Sequence, residues 1–280
     1  MLTPSVGQSE TKGYNILCLH NQLTRYILCF LSLTFFADYY ILCTERFWEG
    51  IAMDINGLQK LTLLDYPGKV ACTVFLAGCN LRCPFCHNAS LVLGGAPTAF
   101  TEEELLRFLK KRAGFLEGVC VTGGEPTLRP GLPEFLAKIK ALGYAVKLDT
   151  NGTNPGMVRK LIADGLVDYV AMDIKNAPSR YRLTCGGVDV LDAAKETAAL
   201  LMAGTVDYEF RTTCVRGHHD DSAMEEIGDW IAGAKNYYLQ NFVDSGDLIG
   251  SGICGLTKEE MEELHKAVLP RIPNTRLRGL

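Results

Sequence analysis

Val70-Ala71-Cys72-Thr73-Val74-Phe75-Leu76, then Ala77-Gly78, then Cys79-Asn80-Leu81-Arg82-Cys83-Pro84-Phe85-Cys86-His87-Asn88: an apolar run runs straight into three cysteines spaced C-x3-C-x2-C. A short apolar run closed by a glycine reads as a buried strand, so the thiols fall at a strand's C-terminal end. Three thiolates so placed are suited to holding a metal group. A structural zinc site closes with four protein ligands, whereas three thiolates on a cubane iron-sulfur cluster leave one iron for an outside molecule. Zinc with His87 as fourth ligand stays open as an alternative, although His87 directly follows Cys86 and adjacent side chains rarely turn to one metal. A redox dithiol of Cys83 and Cys86 is a third reading, weakened by Cys79.

Working outward, further strands are expected at Gly118 to Thr122, Ala145 to Asp149, Tyr169 to Asp173, Asp207 to Thr213 and Asn236 to Phe242. Several are continuous apolar runs of the kind buried on both faces. Amphipathic helices alternate with them, announced by capping-box patterns at Thr101 to Glu104, Ser222 to Glu225 and Thr257 to Glu260, and two end at Gly143 and Gly165. Six strands in strict alternation with helices give an α/β fold with a parallel sheet, either open and doubly wound or curled into a barrel. In both, loops and helix N-termini converge at the strands' C-terminal ends. The polar clusters lie there: Gly78 to Asn88, Thr122-Gly123-Gly124-Glu125-Pro126, Asp149-Thr150-Asn151-Gly152 and Asp173-Ile174-Lys175, with Arg211 and Gln240 inside the fifth and sixth strands.

Each of these signals has an ordinary reading. The Gly-Gly pair alone is a strand-to-helix turn, Asp149 and Asp173 can be helix caps, and Lys175 and Arg211 surface charges. Gathered at successive strand ends they support one another as a pocket, in which glycine lets a ligand approach the backbone. His218 and His219 sit in a polar loop and are expected to bind no metal. Cys72, Cys120 and Cys214 read as small buried hydrophobes.

The chain has 280 residues, 48% hydrophobic and 21% charged, enough for a sizeable core, and its formal net charge is −4. No block of consecutive lysines or arginines stands out, so the footprint of a general nucleic-acid binder is missing. Eleven cysteines without a regular framework fit a reducing compartment, the cytoplasm, better than a disulfide scaffold. Residues 1–52 read differently. The apolar runs Tyr26 to Phe36 and Tyr39 to Cys43 are split by Asp38, too short and interrupted for a spanning helix and without a signal-cleavage pattern. No membrane association is expected. Met53-Asp54-Ile55-Asn56-Gly57 makes a plausible start, so 1–52 is expected to be an extension from an over-extended start assignment, and 53–280 the functional domain.

C-x3-C-x2-C after a first strand and Gly123-Gly124-Glu125-Pro126 after a second resemble the two leading motifs of the radical S-adenosylmethionine superfamily. Leu64-Asp65-Tyr66-Pro67-Gly68-Lys69, Cys86-His87-Asn88, Asp149-Thr150-Asn151-Gly152 and Met172-Asp173-Ile174-Lys175 are similar to the glycyl-radical-enzyme activating proteins. Among these the chain most resembles the activating proteins of anaerobic ribonucleoside-triphosphate reductase, relatives of pyruvate formate-lyase activating enzyme. The resemblance implies a partial, open TIM-like barrel of about six βα units. It implies a [4Fe-4S] cluster on Cys79, Cys83 and Cys86, with S-adenosyl-L-methionine on the fourth iron. Phe85 would lie near the adenine and Gly123, Gly124 and Glu125 near the methionyl amine. Asp149 would hold the methionine end, with a monovalent cation as an option, and Asn151, Asp173, Lys175 and Arg211 would complete the cofactor pocket.

The implied activity is that of an oxidoreductase: reductive cleavage of S-adenosylmethionine, then hydrogen abstraction from a glycine Cα of a partner, a class III reductase, with a flavodoxin- or ferredoxin-type electron donor. Runner-up readings are a pyruvate formate-lyase-type activase and a radical enzyme acting on a small molecule, of the deazaguanine-synthase kind. A non-catalytic iron-sulfur or zinc-binding module is the reading from a different class. His87 has no assigned role.

Overall fold

In the computed structural model, residues 52–279 are described; the expectation for the N-terminal extension falls on residues outside that range apart from residue 52. In chain order the elements are β1 (Gly57–Thr62), β2 (Ala71–Leu76), α1 (Ala89–Val92), α2 (Glu102–Lys111), β3 (Gly118–Gly123), α3 (Leu132–Ala141), β4 (Ala145–Thr150), α4 (Pro155–Ala163) and β5 (Tyr169–Asp173). They continue with α5 (Tyr181–Thr184), α6 (Leu191–Met202), β6 (Asp207–Cys214), α7 (Asp221–Trp230), β7 (Tyr237–Asn241), α8 (Lys258–Val268) and β8 (Thr275–Arg278). The eight strands form one sheet in the order of the chain, antiparallel between β1 and β2 and parallel from β2 to β8, and the sheet is not closed. The architecture is an α/β open, partial barrel.

All six expected strands are present. The two additional ones flank them: β1 carries an exposed Gln-Lys-Leu segment and β8 reads Thr-Arg-Leu-Arg, so neither has the apolar signature by which buried strands are recognised. Both capping boxes at Thr101 and Thr257 form. The one expected at Ser222 does not: Asp220 takes the N-cap, its carboxylate accepting from the Ala223 N–H, and Ser222 lies inside α7. Both residues are good caps, and the carboxylate wins two positions earlier because it also pairs with Arg180.

The strands are buried on both faces as expected, and the register shows that the two faces differ in character. Val74, Val119, Val121, Val146, Leu148, Val170, Met172, Phe210 and Leu239 are buried with Leu105, Leu109, Phe135, Leu136, Val158, Leu161, Leu201, Ile227 and Leu264 of the helices. With a side-chain period of two, the opposite face holds the alternating partners, and parallel pairing aligns them: Cys120 beside Lys147, Asp173 beside Arg211, Thr213 beside Gln240. The inside of the barrel is therefore polar. Lys147 and Glu209 are each 1% exposed there, which is tolerable because Lys147 pairs with Asp149, and Glu209 takes both guanidinium nitrogens of Arg278 at 3.1 and 2.9 Å. Cys72 and Cys214 are buried in the apolar core as expected, but Cys120 belongs to this polar face, 3.9 Å from Lys147 Nζ and 3.7 Å from Asp149 Oδ1. No described helix is long and apolar enough to cross a membrane.

Candidate active site

The cysteine loop begins where β2 ends. Gly78, at φ +89°, turns the chain, and its N–H is tied to Leu91 O of α1 at 2.8 Å. Cys86 N donates to Cys83 O at 3.0 Å, closing a tight turn. A long connection from β7 to α8 straps this loop down: the Asp247 carboxylate accepts from Ser90 N at 3.1 Å and Ser90 Oγ at 2.7 Å, and Gly250 N donates to Pro84 O at 2.8 Å. No motif in the sequence marks that strap, because its partners lie far upstream.

Cys79, Cys83 and Cys86 are free thiols, and all three line one cavity of about 300 Å³ at the C-terminal ends of the strands. Phe85, Gly123, Gly124, Asp149, Asn151, Asp173, Lys175 and Arg211 line it too, as do His87, Thr213 and Gln240. Of the residues expected to hold the cluster or the cofactor, Glu125 alone stays out of the lining. Among the described residues no three Cys, His, Asp or Glu side chains are drawn together in metal-ligand geometry. Cys79 Sγ accepts from Leu81 N at 3.4 Å and from Asn151 Nδ2 at 3.7 Å.

These partners shape the thiols' acidity. Burial pushes Cys79 and Cys86 up. The neighbouring Cys185 thiol brings Cys83 down to about 7 against its burial, with Lys175 helping. The Lys175 ammonium favours the thiolate at all three positions. Cys185 itself was not legible from spacing: it lies about a hundred residues downstream, brought in by the close approach of Gly186, at φ +77°, to Arg82.

Glu125 points into the protein. Its carboxylate accepts from Thr127 N and Oγ1, from Thr150 Oγ1 at 2.8 Å and from Asn151 N at 2.6 Å, joining the β3 loop to the β4 loop. Burial raises its pKa, and those four hydrogen bonds oppose the rise. Gly123 and Gly124 also have a steric reason. A Cβ on Gly123 would overlap the Leu76 carbonyl oxygen, and one on Gly124 the Gly78 carbonyl oxygen. The pair is required by the chain that carries the cysteines, whatever approaches from the cavity.

The floor of the cavity is a run of alternating charge. Lys147 pairs with Asp149, Asp149 with Arg211 at 3.0 Å, Arg211 with Asp173 at 2.9 Å, and Asp173 with Lys175 at 2.8 Å. Burial opposes the charged forms of Asp149 and Asp173, yet the flanking cations hold both carboxyls below their ordinary range. Asp149, the carboxylate expected to meet a monovalent cation, thus has one side-chain cation on each oxygen. Asn151 is similarly committed, its amide bridging Asn80 and Cys79.

His219 is buried, its Nδ1 accepting from Val215 N at 3.1 Å and its Nε2 donating to Lys175 O at 3.1 Å. It rivets the β6 loop to the Lys175 loop, and both His218 and His219 turn ring edges to Phe85. His87 stacks on Phe242, centroids 5.1 Å apart.

Comparisons with known proteins accord with this geometry. Residues 73–231 match the model of the radical SAM superfamily. The chain is 31% identical over 233 residues to a putative glycyl-radical enzyme activating enzyme of Methanocaldococcus jannaschii, covering 81% of this chain and 96% of that one. It is 32% identical over 127 residues to the pyruvate formate-lyase-activating enzyme of Clostridium pasteurianum, covering 44% of this chain and 52% of that one, so the match spans about half of that relative. A radical SAM methyltransferase from Sphaerobacter thermophilus superposes with a TM-score of 0.59 at 16% identity, over 78% of this chain and 68% of that one, a likeness of fold.

Proposed function

The chain belongs to the radical SAM superfamily and is related to the glycyl-radical enzyme activating enzymes, and from that premise we propose that it generates a glycyl radical on a partner enzyme, an anaerobic ribonucleoside-triphosphate reductase. The observation that carries the proposal is the meeting of three free cysteines with the Gly123-Gly124 turn and the Asp149 to Lys175 charges on one cavity. The donor set suits a [4Fe-4S] cluster: three soft thiols lining one cavity, beside the Lys175 ammonium, which favours thiolate at each of them. Bound together, the cluster and S-adenosylmethionine supply one-electron reduction and hydrogen-atom abstraction.

The chain's own residues hold and shield those groups. Cys79, Cys83 and Cys86 are the ligands. Phe85, buried and braced by two histidine edges, offers a flat apolar wall to an adenine. Gly123 and Gly124 present bare backbone to the methionyl amine, while Glu125 holds their loop from behind. Arg211 and Lys175, which line the cavity paired with Asp149 and Asp173 and are backed by the buried Lys147, are the cations that can meet the methionyl carboxylate. Asn151 fixes the loop of Cys79 to that of β4. The unclosed sheet leaves a way in for a glycine-bearing loop of the partner. Electrons come from a flavodoxin- or ferredoxin-type protein, and the setting is the cytoplasm, where free thiols persist.

Anaerobic reconstitution followed by dithionite reduction tests the reading. The expected result is 5′-deoxyadenosine, together with a glycyl EPR doublet on the reductase. A fully loaded cluster that leaves S-adenosylmethionine intact would overturn it. Cleavage without a doublet on any candidate partner would replace the protein substrate with a small molecule.

A further inference from the structure

Gln240 of β7 is half-buried, stands in register with Thr213 of β6 and lines the cavity with it, and neither side chain hydrogen-bonds to a described residue. Two other carboxamides on the cavity are engaged. Asn151 Nδ2 donates to Asn80 Oδ1 at 3.1 Å, and Asn241 takes both halves of the Leu256 main chain, its Nδ2 donating to Leu256 O at 2.8 Å and its Oδ1 accepting from Leu256 N at 2.9 Å. Across the last strand pair Gln240 faces Arg278, whose guanidinium is turned to Glu209. Gln240 therefore presents an uncommitted carboxamide one strand from the edge β8, where the sheet stops without closing. That group carries N–H donors and an acceptor oxygen, the complement of a peptide group's C=O and N–H. A target glycine has no side chain by which it could be read, so its loop must be recognised at the reacting residue through the main chain.

Resting on the reading of the partner as a glycyl radical enzyme, we propose that Gln240 is a substrate-binding residue that grips the main chain of the glycine-bearing loop, Nε2 donating to a carbonyl oxygen and Oε1 accepting the N–H of the same residue, as Asn241 grips Leu256. Two bonds to one residue stop the loop from swinging about either of them, which holds the glycine Cα at a fixed place in the cavity. A substrate without a peptide group leaves the carboxamide unpaired, so the same contact discriminates as well as orients.

The test is a ligand-detected NMR titration of the full chain, anaerobically reconstituted and holding S-adenosylmethionine, with the capped peptide acetyl-Ala-Ala-Gly-Ala-Ala-amide and a scan of analogues in which each backbone N–H in turn is replaced by an ester oxygen. Gln240→Leu, of like size and without hydrogen-bonding groups, is expected to raise the Kd of the parent peptide about fivefold to thirtyfold. The ester that costs wild type most, about threefold to tenfold, should cost the leucine variant nothing, a coupling that a merely structural residue would not show. Gln240→Glu keeps the acceptor and loses the donors, so it should bind the parent peptide more weakly and retain the ester penalty; it decides alone should the leucine variant fail to fold. Unchanged peptide affinity in either variant, an ester penalty that survives in the leucine variant, or a weakening of S-adenosylmethionine binding that matches the peptide's would overturn the assignment. A wild type that binds none of the peptides would overturn it too, and the glycyl EPR doublet on the reductase then shows whether the reading of function stands without it.

Discussion

Glu125 is buried with almost no water near it, and four donors from two loops face its oxygens. Replacing it by glutamine swaps one acceptor oxygen for a donor that meets other donors. Glu125→Gln is expected to lower stability by about 2–4 kcal/mol in urea unfolding, because buried groups lose their partners; a loss below 0.5 kcal/mol would contradict the four-bond arrangement. The glutamate was conspicuous in the sequence as part of Gly-Gly-Glu-Pro, and its direction was not. A motif fixes which residues follow one another, whereas the side chain's direction here is set by Thr150 and Asn151, a strand further on. Cys185 shows the same limit, since it has no spacing rule to be found by.

At the scale of elements, β2 and β3 meet so closely past their ends that only glycine fits between them. Gly124→Ala must displace the Gly78 carbonyl, and with it the turn leading into Cys79. The expected cost is about 3 kcal/mol or more. Gly165→Ala is the control: nothing lies within contact of the added carbon, and only the left-handed backbone at φ +65° opposes it, a cost of about 1 kcal/mol. Equal losses for the two in thermal or urea unfolding would show that the close approach of the Gly78 carbonyl adds nothing to the cost at Gly124. The strands and helices were well signalled where burial alternates, because period and capping are local properties. The two outer strands escaped because an edge strand meets solvent and needs no apolar run, and the cap of α7 shifted because Arg180 selects Asp220 from outside the helix.

On the scale of the whole molecule, stability depends on pH through His219, a rivet between two loops. Burial lowers its pKa to about 4, against about 6.5 in an unfolded chain. Below pH 6.5 the unfolded chain binds a proton that the folded chain refuses, so this stabilisation is complete above pH 6.5 and is lost as pH falls towards 4. Between pH 6.5 and 5 the loss amounts to about 2 kcal/mol. Urea midpoints measured at both pH values for wild type and His219→Gln check it: the variant should lack this part of the pH dependence, and an unchanged slope would remove His219 from the account. The polar interior belongs to this scale as well. Sequence periodicity shows that strands are buried but not how neighbouring strands register, and register alone set Asp173 against Arg211.

The alternating row from Lys147 to Lys175 has one more consequence. A liquid answers a new charge by turning its dipoles, and the turning has an energy of its own. Side-chain charges locked to one another on neighbouring strands have already turned. The floor of the cavity acts as a frozen solvent shell, so an electron arriving above it, or a charge moving across it, meets surroundings that hardly need to rearrange.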